Sequence, residues 1–306
     1  MVAKARFSTI LRHIRHGRVR DIYSIGDAEA EVIEAQVLST SPIAGRAVRD
    51  IDFPEGALMG AVRKGDRYIV NGRKIWTSTA QVADKIMLIA RTSERDEANP
   101  TAGLSLFFAD MDRSAIDVRQ IGKMGRKAID SNELFIDNFE IPADDLVGEE
   151  GKGFSYLLHS LNPERILVAA EAVGIGLDAL NRATRYARER VVFGRPIGMN
   201  QSIQHPLAES WMELEAADLM TWRAAELYDS GASCGAEANA AKYLAAEASF
   251  RACDRAVRTH GGFGYAKEYH VERYLRECLI PRIAPVSPQM IMNFIGEKVL
   301  GLPRSY

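Results

Sequence analysis

The sequence predicts an α+β protein in which a middle β-barrel-like domain precedes a C-terminal antiparallel helical bundle. From residue 59 to residue 150 the chain consists of short runs rich in β-branched and aromatic residues, separated by turn residues. From residue 151 to residue 306 apolar residues recur with the period of an α-helix, with short connections between the helical runs. Such a pattern favours an antiparallel bundle. Residues 1–58 have no clean period and are interpreted as an irregular lead-in.

The β-rich part is expected to contain several short strands. Tyr68, Ile69 and Val70 form one β-rich run, and the pair Asn71-Gly72 that follows is typical of a hairpin turn. Further strands are expected over residues 85–91, 104–109 and 133–136. In the lead-in, residues 28–37 are expected to be helical.

The helical part has recognisable start signals. Asn162-Pro163 predicts the beginning of a long helix that ends near Arg190, because proline is favoured in a first helical turn. Ser287-Pro288 is a capping residue followed by a first-turn proline, and it predicts the start of the last helix. The remaining helices are expected over residues 201–229, 236–260 and 268–279, and the last over 288–300.

Composition excludes several classes of partner. Lys and Arg number 39 against 41 Asp and Glu, so the net charge of −2 provides no basic field for nucleic acid or an anionic membrane. No apolar run reaches the ~18 residues that a membrane span requires. The six histidines lack the spacing of metal ligands, and no metal site is expected.

The cysteines and the N-terminal residues indicate in which cellular compartment the protein is expected. Cys234, Cys253 and Cys278 lack a C-x-x-C spacing and are expected to be free thiols in a reducing cytoplasm. The first twenty residues carry six basic residues and no acid, which is also typical of a mitochondrial transit peptide. A mitochondrial matrix location therefore remains an alternative.

One glycine pattern admits two interpretations. Gly174-Ile175-Gly176-Leu177-Asp178-Ala179 imitates the G-x-G-x-x-A fingerprint of a dinucleotide site, for which Ile166-Leu167-Val168 would have to be a strand. The intervening Ala169-Ala170-Glu171-Ala172 favours a helix instead. We interpret the small residues as positions of close helix packing.

Two glycine-containing runs near the helix ends are more informative. They read Arg-Val-Val-Phe-Gly-Arg-Pro-Ile at 190–197 and His-Gly-Gly-Phe-Gly-Tyr at 260–265. Such glycines cap a helix or let the backbone approach a bulky ligand. Together with Trp76-Thr77-Ser78, Lys123-Met124-Gly125 and the run 149–154, in the same order, they resemble the acyl-CoA dehydrogenase family of flavoproteins. The resemblance extends from about Tyr68 to the C-terminus.

The resemblance implies FAD as the cofactor. Trp76 would pack on the isoalloxazine ring, and Ser78 would hydrogen-bond near N5, the atom that accepts hydride. The simpler alternatives are a half-buried aromatic at a strand end for Trp76 and an interaction with a helix C-terminus for Arg190. Arg258 stands where the family usually has glutamine. The FAD contacts implied by the resemblance are Trp76, Ser78, Arg190, Phe193, Gln201, Arg258, Gly261, Gly262, Ser287 and Gln289.

The resemblance also singles out a catalytic base. Most members carry a glutamate in a Tyr-Glu-Gly-Thr run, but the corresponding stretch here is Ala-Pro-Val-Ser at 284–287, with Pro285 in place of the glutamate. A minority branch places its base one residue before an arginine, the position of Glu164. Glu164 is therefore the candidate base and Arg165 a candidate substrate-binding residue. Alternatively, Glu164 is a first-turn acid favoured by the helix dipole.

The activity implied is oxidation of an acyl-CoA to the trans-2-enoyl-CoA, with electrons passing to an electron-transferring flavoprotein. A homodimer or homotetramer is implied as well. The family begins with a helical domain of about a hundred residues, whereas about sixty residues precede the strands here, so that domain is expected to be an incomplete remnant. Two alternatives follow: a flavin monooxygenase on the same fold, and a non-catalytic or FAD-poor remnant that acts as an assembly partner.

Overall fold

The computed structural model describes residues 17–25, 30–38, 41, 43–46, 61–64 and 66–305. The chain divides into two compact units, one comprising residues 1–122 and 129–156 and the other residues 123–128 and 157–306. Among the described residues, no helix is both long enough and apolar enough to cross a membrane.

The first unit is built from antiparallel strands. Strands β3 (Ala61–Lys64), β4 (Arg67–Ser78), β7 (Ile116–Gln120) and β8 (Ser131–Pro142) form one sheet in the order β3-β4-β8-β7. A second sheet contains β5 (Lys85–Arg91), β6 (Leu104–Asp110) and the short β9 (Leu146–Val147) in the order β5-β6-β9. The predicted β-rich middle region is confirmed.

The core of this unit follows from strand alternation. In β8 every second side chain from Asn132 to Ile136 is buried, because successive residues of a strand point to opposite faces. Leu134, Phe139 and Ile141 of β8 pack in one cluster with Leu88 of β5 and Phe107 of β6. These five side chains are almost completely inaccessible to solvent.

Two local predictions for this unit are wrong. The pair Asn71-Gly72 does not form a hairpin turn, because β4 runs through it and pairs with β8 on both sides of a bulge between Val70 and Gly72. The Asn71 side chain accepts a hydrogen bond from the backbone N–H of Asn138 at 2.7 Å, so it supports the bulge. The hairpin lies one step earlier, where Lys64 of β3 pairs with Arg67 of β4.

The expected helix over residues 28–37 is also wrong. The chain forms β1 (Gly17–Ile25) and β2 (Ala30–Val37), which pair antiparallel with a bulge between Val19 and Asp21. Val32, Ile33 and Val37 are β-branched, and such side chains favour strands when a partner strand is available. Residues 1–16 and 47–60 of the lead-in lie outside the described residues.

The second unit is helical, as predicted. Its three long helices are α1 (Gly153–Glu189), α2 (Gln201–Asp229) and α3 (Gly235–His260), and α1 and α2 are separated by a two-stranded hairpin of β10 (Val191–Val192) and β11 (Arg195–Pro196). Three shorter helices follow: α4 (Val271–Glu277), α5 (Ile280–Ile283) and α6 (Pro288–Phe294), the last continued by a π-helical turn over Ile295–Val299. The helical core is dominated by alanine, which lets helices approach closely.

The predicted start of the first long helix is wrong, although its predicted end is confirmed. Helix α1 begins at Gly153, so Pro163 lies inside it instead of in its first turn. Gly153 approaches the backbone of β6 so closely that an added Cβ would lie 2.3 Å from the nitrogen of Leu106. The turns between Gly153 and Pro163 contain Leu157, Leu158 and Leu161, and leucine favours a helix.

Gly176 of α1 confirms the helix-packing interpretation, whereas Gly174 has no atom within 4 Å of an added Cβ. Gly174 and Gly176 both lie within α1, so the strand and turn that a dinucleotide fingerprint requires are absent from this segment. A Cβ at Gly176 would lie 2.6 Å from Cδ2 of Leu214 and 3.1 Å from Cα of Ser249. Gly176 therefore permits the contact of α1 with α2 and α3.

Candidate functional site

A pocket in the helical unit collects several of the predicted cofactor residues. Arg190, Gly261 and Gly262 line an open pocket of about 600 Å³, together with Tyr186 of α1 and Glu268. Arg190 follows the last residue of α1, and the two glycines follow α3. The structure thus brings Arg190 together with a glycine pair about seventy positions later in the sequence.

The glycines form a cradle that the chain itself does not fill. Gly261 has φ 60° and ψ −131°, a conformation that only glycine adopts readily. No atom lies within 4 Å of a Cβ placed at Gly261 or Gly262, so the protein's own packing does not require the missing side chains. At Gly264, by contrast, a Cβ would lie 2.2 Å from the carbonyl oxygen of Val257. The space at Gly261 and Gly262 is therefore open.

Three other predicted cofactor residues do not line this pocket. Phe193 stands at the tip of the β10–β11 hairpin, with φ 52° and a fully exposed side chain. Gln201 is the exposed first residue of α2. Arg258 lies on the exposed face of α3, where its guanidinium forms an ion pair with Asp254 at 3.5 Å. An exposed phenylalanine at positive φ is unusual.

Glu164 lies on the exposed face of α1, eleven residues after the helix begins. The helix dipole acts within the first turn, so it does not explain this acid. Among the described residues, Glu164 has no recorded hydrogen bond or ion pair. Two other acids on this face are engaged: Glu171 pairs with Arg126, and Asp178 pairs with Arg182 at 2.9 Å. Glu164 is an exposed carboxylate without a partner among the described residues, as is Glu189 at the end of α1.

Arg165, the next residue, is half-buried. Its Nη1 donates a hydrogen bond to Oδ1 of Asn162 at 3.0 Å, while its Nε is buried and has no partner within the described part of the chain. Burial lowers the pKa of Arg165, and the neighbouring carboxylate of Glu164 acts in the opposite direction. The guanidinium therefore retains hydrogen-bonding capacity beside Glu164.

A buried lysine that the sequence did not single out anchors the segment around Pro285. Lys242 of α3 is 1% exposed, and its Nζ donates to the carbonyl oxygen of Val286 at 2.7 Å. Burial, and then the positive charge of Arg165, lower the pKa of Lys242 to about 8. The only sequence signal was a lysine on an otherwise alanine-rich helix face.

The two predicted flavin contacts after Pro285 have different environments. The Ser287 hydroxyl accepts a hydrogen bond from the backbone N–H of Met290 at 3.3 Å and caps α6, as the sequence predicted. Gln289, in the first turn of α6, is exposed. The oxygen of Ser287 is therefore already engaged by the helix, whereas the Gln289 amide is available.

The β unit places Trp76 and Ser78 at the end of β4. Trp76 has φ 63° and lies at a register shift between Lys74 and Thr77, and Thr79 has φ 59°. The Trp76 side chain is 62% exposed. Strained backbone that presents a large exposed aromatic ring is typical of ligand sites. Ser78 is also exposed.

The three cysteine thiols of the helical unit are buried and form no disulfide, although those of Cys253 and Cys278 lie close enough to hydrogen-bond to each other. Cys234, Cys253 and Cys278 are all free and buried, and burial raises the pKa of the Cys234 thiol. Within the described ranges no group of three or more His, Cys, Asp or Glu side chains is arranged to hold a metal ion.

Comparison with known proteins identifies the family of this chain. A model of the acyl-CoA dehydrogenase middle domain matches residues 44–139, and a model of the acyl-CoA dehydrogenase C-terminal domain matches residues 151–300. The chain belongs to the acyl-CoA dehydrogenase family. The strand-rich unit contains most of the first match, and the helical unit contains most of the second.

Individual relatives of this acyl-CoA dehydrogenase family member cover most of the chain. It is 41% identical over 248 residues to acyl-CoA dehydrogenase FadE12 of Mycobacterium tuberculosis, a match that covers 80% of this chain and 63% of that protein. It is 35% identical to the caffeyl-CoA reductase-Etf complex subunit CarC of Acetobacterium woodii, which covers 78% of this chain and 63% of CarC.

Among solved structures, butyryl-CoA dehydrogenase from Megasphaera elsdenii superposes with a TM-score of 0.74 at 32% identity. The match covers 78% of this chain and 62% of that one. The chain thus spans somewhat less than two thirds of the length of these relatives, and its described part contains no N-terminal helical domain.

Proposed function

We propose that this chain binds FAD and removes a proton and a hydride from adjacent carbons of an acyl-CoA, which yields the trans-2-enoyl-CoA. The observation that carries the proposal is the unengaged carboxylate of Glu164 on α1, in a chain where Pro285 replaces the usual glutamate. Members of the family are FAD-dependent dehydrogenases, and when bound FAD supplies the hydride acceptor.

The residues of the helical pocket fit a diphosphate-containing cofactor. The guanidinium of Arg190 offers a planar pair of donors that matches two phosphate oxygens. The open space at Gly261 and Gly262 lets backbone N–H groups approach such a group without a Cβ in between. In the β unit, Trp76 would pack on the flavin ring and Ser78 would hydrogen-bond to it. Their exposure and the strained backbone at Trp76 support this role.

Glu164 would accept the α-proton of the thioester. A general base must reach the proton that it removes. The Glu164 carboxylate forms no hydrogen bond or ion pair with the described residues. Arg165, half-buried next to Glu164 in the sequence, would bind the substrate through its guanidinium. A positioned base of this kind contributes a factor of about 10²–10⁴ to the rate.

The proposed partners are an acyl-CoA substrate, an electron-transferring flavoprotein and further copies of this chain. CarC is a subunit of an Etf complex, which supports an electron-transferring flavoprotein as the acceptor. The fully exposed Phe193 and the exposed Trp211, Leu219 and Trp222 of α2 support a homodimer or homotetramer. Sedimentation should show an oligomer, and a 33.9 kDa monomer that retains FAD would contradict this part of the proposal. The unpaired buried thiols support a reducing cytoplasm.

The decisive experiment is the visible spectrum of the purified protein under anaerobic conditions, before and after addition of a series of acyl-CoAs. Bound flavin that bleaches with at least one acyl-CoA supports the dehydrogenase. A flavin that never bleaches with an acyl-CoA would contradict the dehydrogenase. If NADH or NADPH reduces that flavin and the reduced protein then consumes oxygen, the result would support a monooxygenase. A protein that binds no added FAD would be a non-catalytic relative, and the proposal would fail.

A further inference from the structure

The helical pocket is lined by an acid, Glu268, that the proposed cofactor contacts do not include. Glu268 lies in the 3₁₀-helical turn Lys267–Tyr269, a few residues after the Gly261-Gly262 cradle. The residue is exposed, and no hydrogen bond or ion pair is recorded for it among the described residues. An ionised carboxylate only accepts hydrogen bonds. In the pocket, Glu268 therefore suits a part of a ligand that donates them.

Arg190 and Glu268 line the same pocket with opposite charges but do not neutralise each other. No ion pair is recorded between them in the described part of the chain. The guanidinium of Arg190 lies instead 5.7 Å from the centre of the Phe263 ring. The open space at Gly261 and Gly262 belongs to the same pocket. The pocket thus offers a ligand a cation and an anion separately.

The two charges suit different parts of an adenine nucleotide. Arg190 and the open backbone of the glycines suit a diphosphate, whose oxygens accept hydrogen bonds. Glu268 repels phosphate, so a neutral donor fits it better. The ribose next to the diphosphate carries hydroxyls at its 2′ and 3′ carbons, and both can donate to one carboxylate. An acid binds the ribose hydroxyls of dinucleotides in the same way in other folds.

The ribose is also the point at which the two ligands of the proposed reaction differ. FAD and CoA both contain adenosine diphosphate, but CoA carries a phosphate on the 3′ oxygen of the ribose, whereas FAD has a free hydroxyl there. A 3′-phosphate beside Glu268 would lose a hydrogen bond to the carboxylate and would bring two negative charges together. Repulsion of the wrong ligand is one way in which a site becomes specific. Glu268 therefore favours the nucleotide of FAD over that of CoA.

We propose that Glu268 determines which nucleotide enters the helical pocket: it accepts hydrogen bonds from the ribose hydroxyls of FAD and repels the 3′-phosphate of CoA. The inference rests on the proposed function in one respect, namely that FAD and an acyl-CoA are the two ligands. The selection itself requires neither the flavin nor the acyl group. It applies equally to ADP and to 3′-phospho-ADP, the corresponding parts of the two molecules.

The first test compares the affinities of the full chain for ADP, 2′,3′-dideoxy-ADP and 3′-phospho-ADP. Displacement of bound FAD, followed by flavin fluorescence, measures them, and calorimetry measures them directly if the protein is isolated without flavin. The parent should bind each analogue about ten- to a hundredfold more weakly than ADP, because hydrogen bonds to a charged group contribute factors of this order. Equal affinity for the three nucleotides, or no binding of any of them, would overturn the inference.

The second test assigns this discrimination to Glu268. Glu268→Ala should bind the three nucleotides with similar affinity, because it removes both the acceptor and the negative charge. Glu268→Gln keeps the size of the side chain without its charge and should bind 3′-phospho-ADP more tightly than the parent does. Glu215→Ala, which removes an exposed carboxylate of α2 that does not line the pocket, should discriminate as the parent does.

The results separate the inference from the proposed function. If discrimination depends on Glu268 but bound flavin never bleaches with an acyl-CoA, the proposed function fails and the inference stands. If the flavin bleaches but Glu268→Ala discriminates as the parent does, the inference fails and the proposed function stands. If Glu268→Ala weakens binding of FAD but of none of the three nucleotides, the carboxylate contacts the ribityl hydroxyls of the flavin half, and the inference fails as well.

Discussion

The ammonium nitrogen of Lys242 lies 2.7 Å from the carbonyl oxygen of Val286, and the lysine is almost completely buried. This bond connects α3 to the segment that contains Pro285, the position at which the family resemblance implies a glutamate in most members. A hydrogen bond with a charged donor contributes ~1.5–3 kcal/mol, but a buried charge next to Arg165 is costly. The segment that contains Pro285 is therefore held by Lys242, whose charge depends on pH.

The first prediction concerns the pH dependence of stability. The pKa of Lys242 is about 8 in the folded protein and 10.5 ordinarily, so between these values the unfolded chain binds more protons. The contribution of Lys242 to the free energy of unfolding should rise with pH across this window, by at most ~1.4 kcal/mol per pH unit. Lys242→Met, which removes the titrating group, should not show this rise. Denaturant unfolding of the parent and of Lys242→Met at pH 7.5, 8.5 and 9.5 measures the two free energies of unfolding. A difference between them that stays constant with pH would contradict the prediction.

The second prediction concerns the two glycines of α1. Gly174→Ala should stabilise the protein by up to ~1 kcal/mol, because alanine favours helix and no atom lies within 4 Å of the new Cβ. Gly176→Ala should destabilise it by ~1–3 kcal/mol, because its Cβ would lie 2.6 Å from Leu214. Each variant is the control for the other, since both make the same chemical change two residues apart. Thermal unfolding that shifted both in the same direction would contradict the packing argument.

Much of the fold could be predicted from local sequence because turn residues and hydrophobic period coincide with the observed elements. The strand over Lys85–Arg91 and the helix over Gln201–Asp229 have the predicted bounds. The errors have two causes. At Asn71-Gly72 the pairing of β4 with β8 outweighs the local turn signal, and a single sequence does not contain such tertiary contacts. At Pro163 the leucine-rich turns before the proline extend the helix to Gly153, so one local signal outweighs another.

The candidate site also contains both residues that the sequence predicted and residues that it did not. Arg190, Gly261 and Gly262 carry a motif and do share one pocket. Lys242 was not found from the sequence, because a lysine in an alanine-rich helix is an ordinary surface pattern. Its burial, and its bond to Val286 from the segment after α3, are features of the folded chain.

The third prediction separates cofactor binding from helix capping at Arg190. Arg190→Ala should weaken FAD binding by roughly ten- to a hundredfold, because it removes a charged donor pair from the phosphates. Arg188→Ala removes another exposed arginine from the same helix end and should leave FAD affinity unchanged. Titration with FAD monitored by flavin fluorescence measures both. Equal flavin occupancy in Arg190→Ala and the parent would show that Arg190 acts only on the helix dipole.

The last prediction tests the base. Glu164→Gln keeps the size of the side chain and its place on the exposed face of α1, but it removes the basic carboxylate. FAD should remain bound, and reduction of the flavin by an acyl-CoA should slow by ~10²–10⁴-fold, the contribution of a positioned base. Glu226→Gln, which removes an exposed carboxylate from α2, should reduce its flavin at the parent rate. Stopped-flow absorbance under anaerobic conditions measures these rates. If the flavin of Glu164→Gln is reduced as fast as that of the parent, another group accepts the α-proton and Glu164 is not the base.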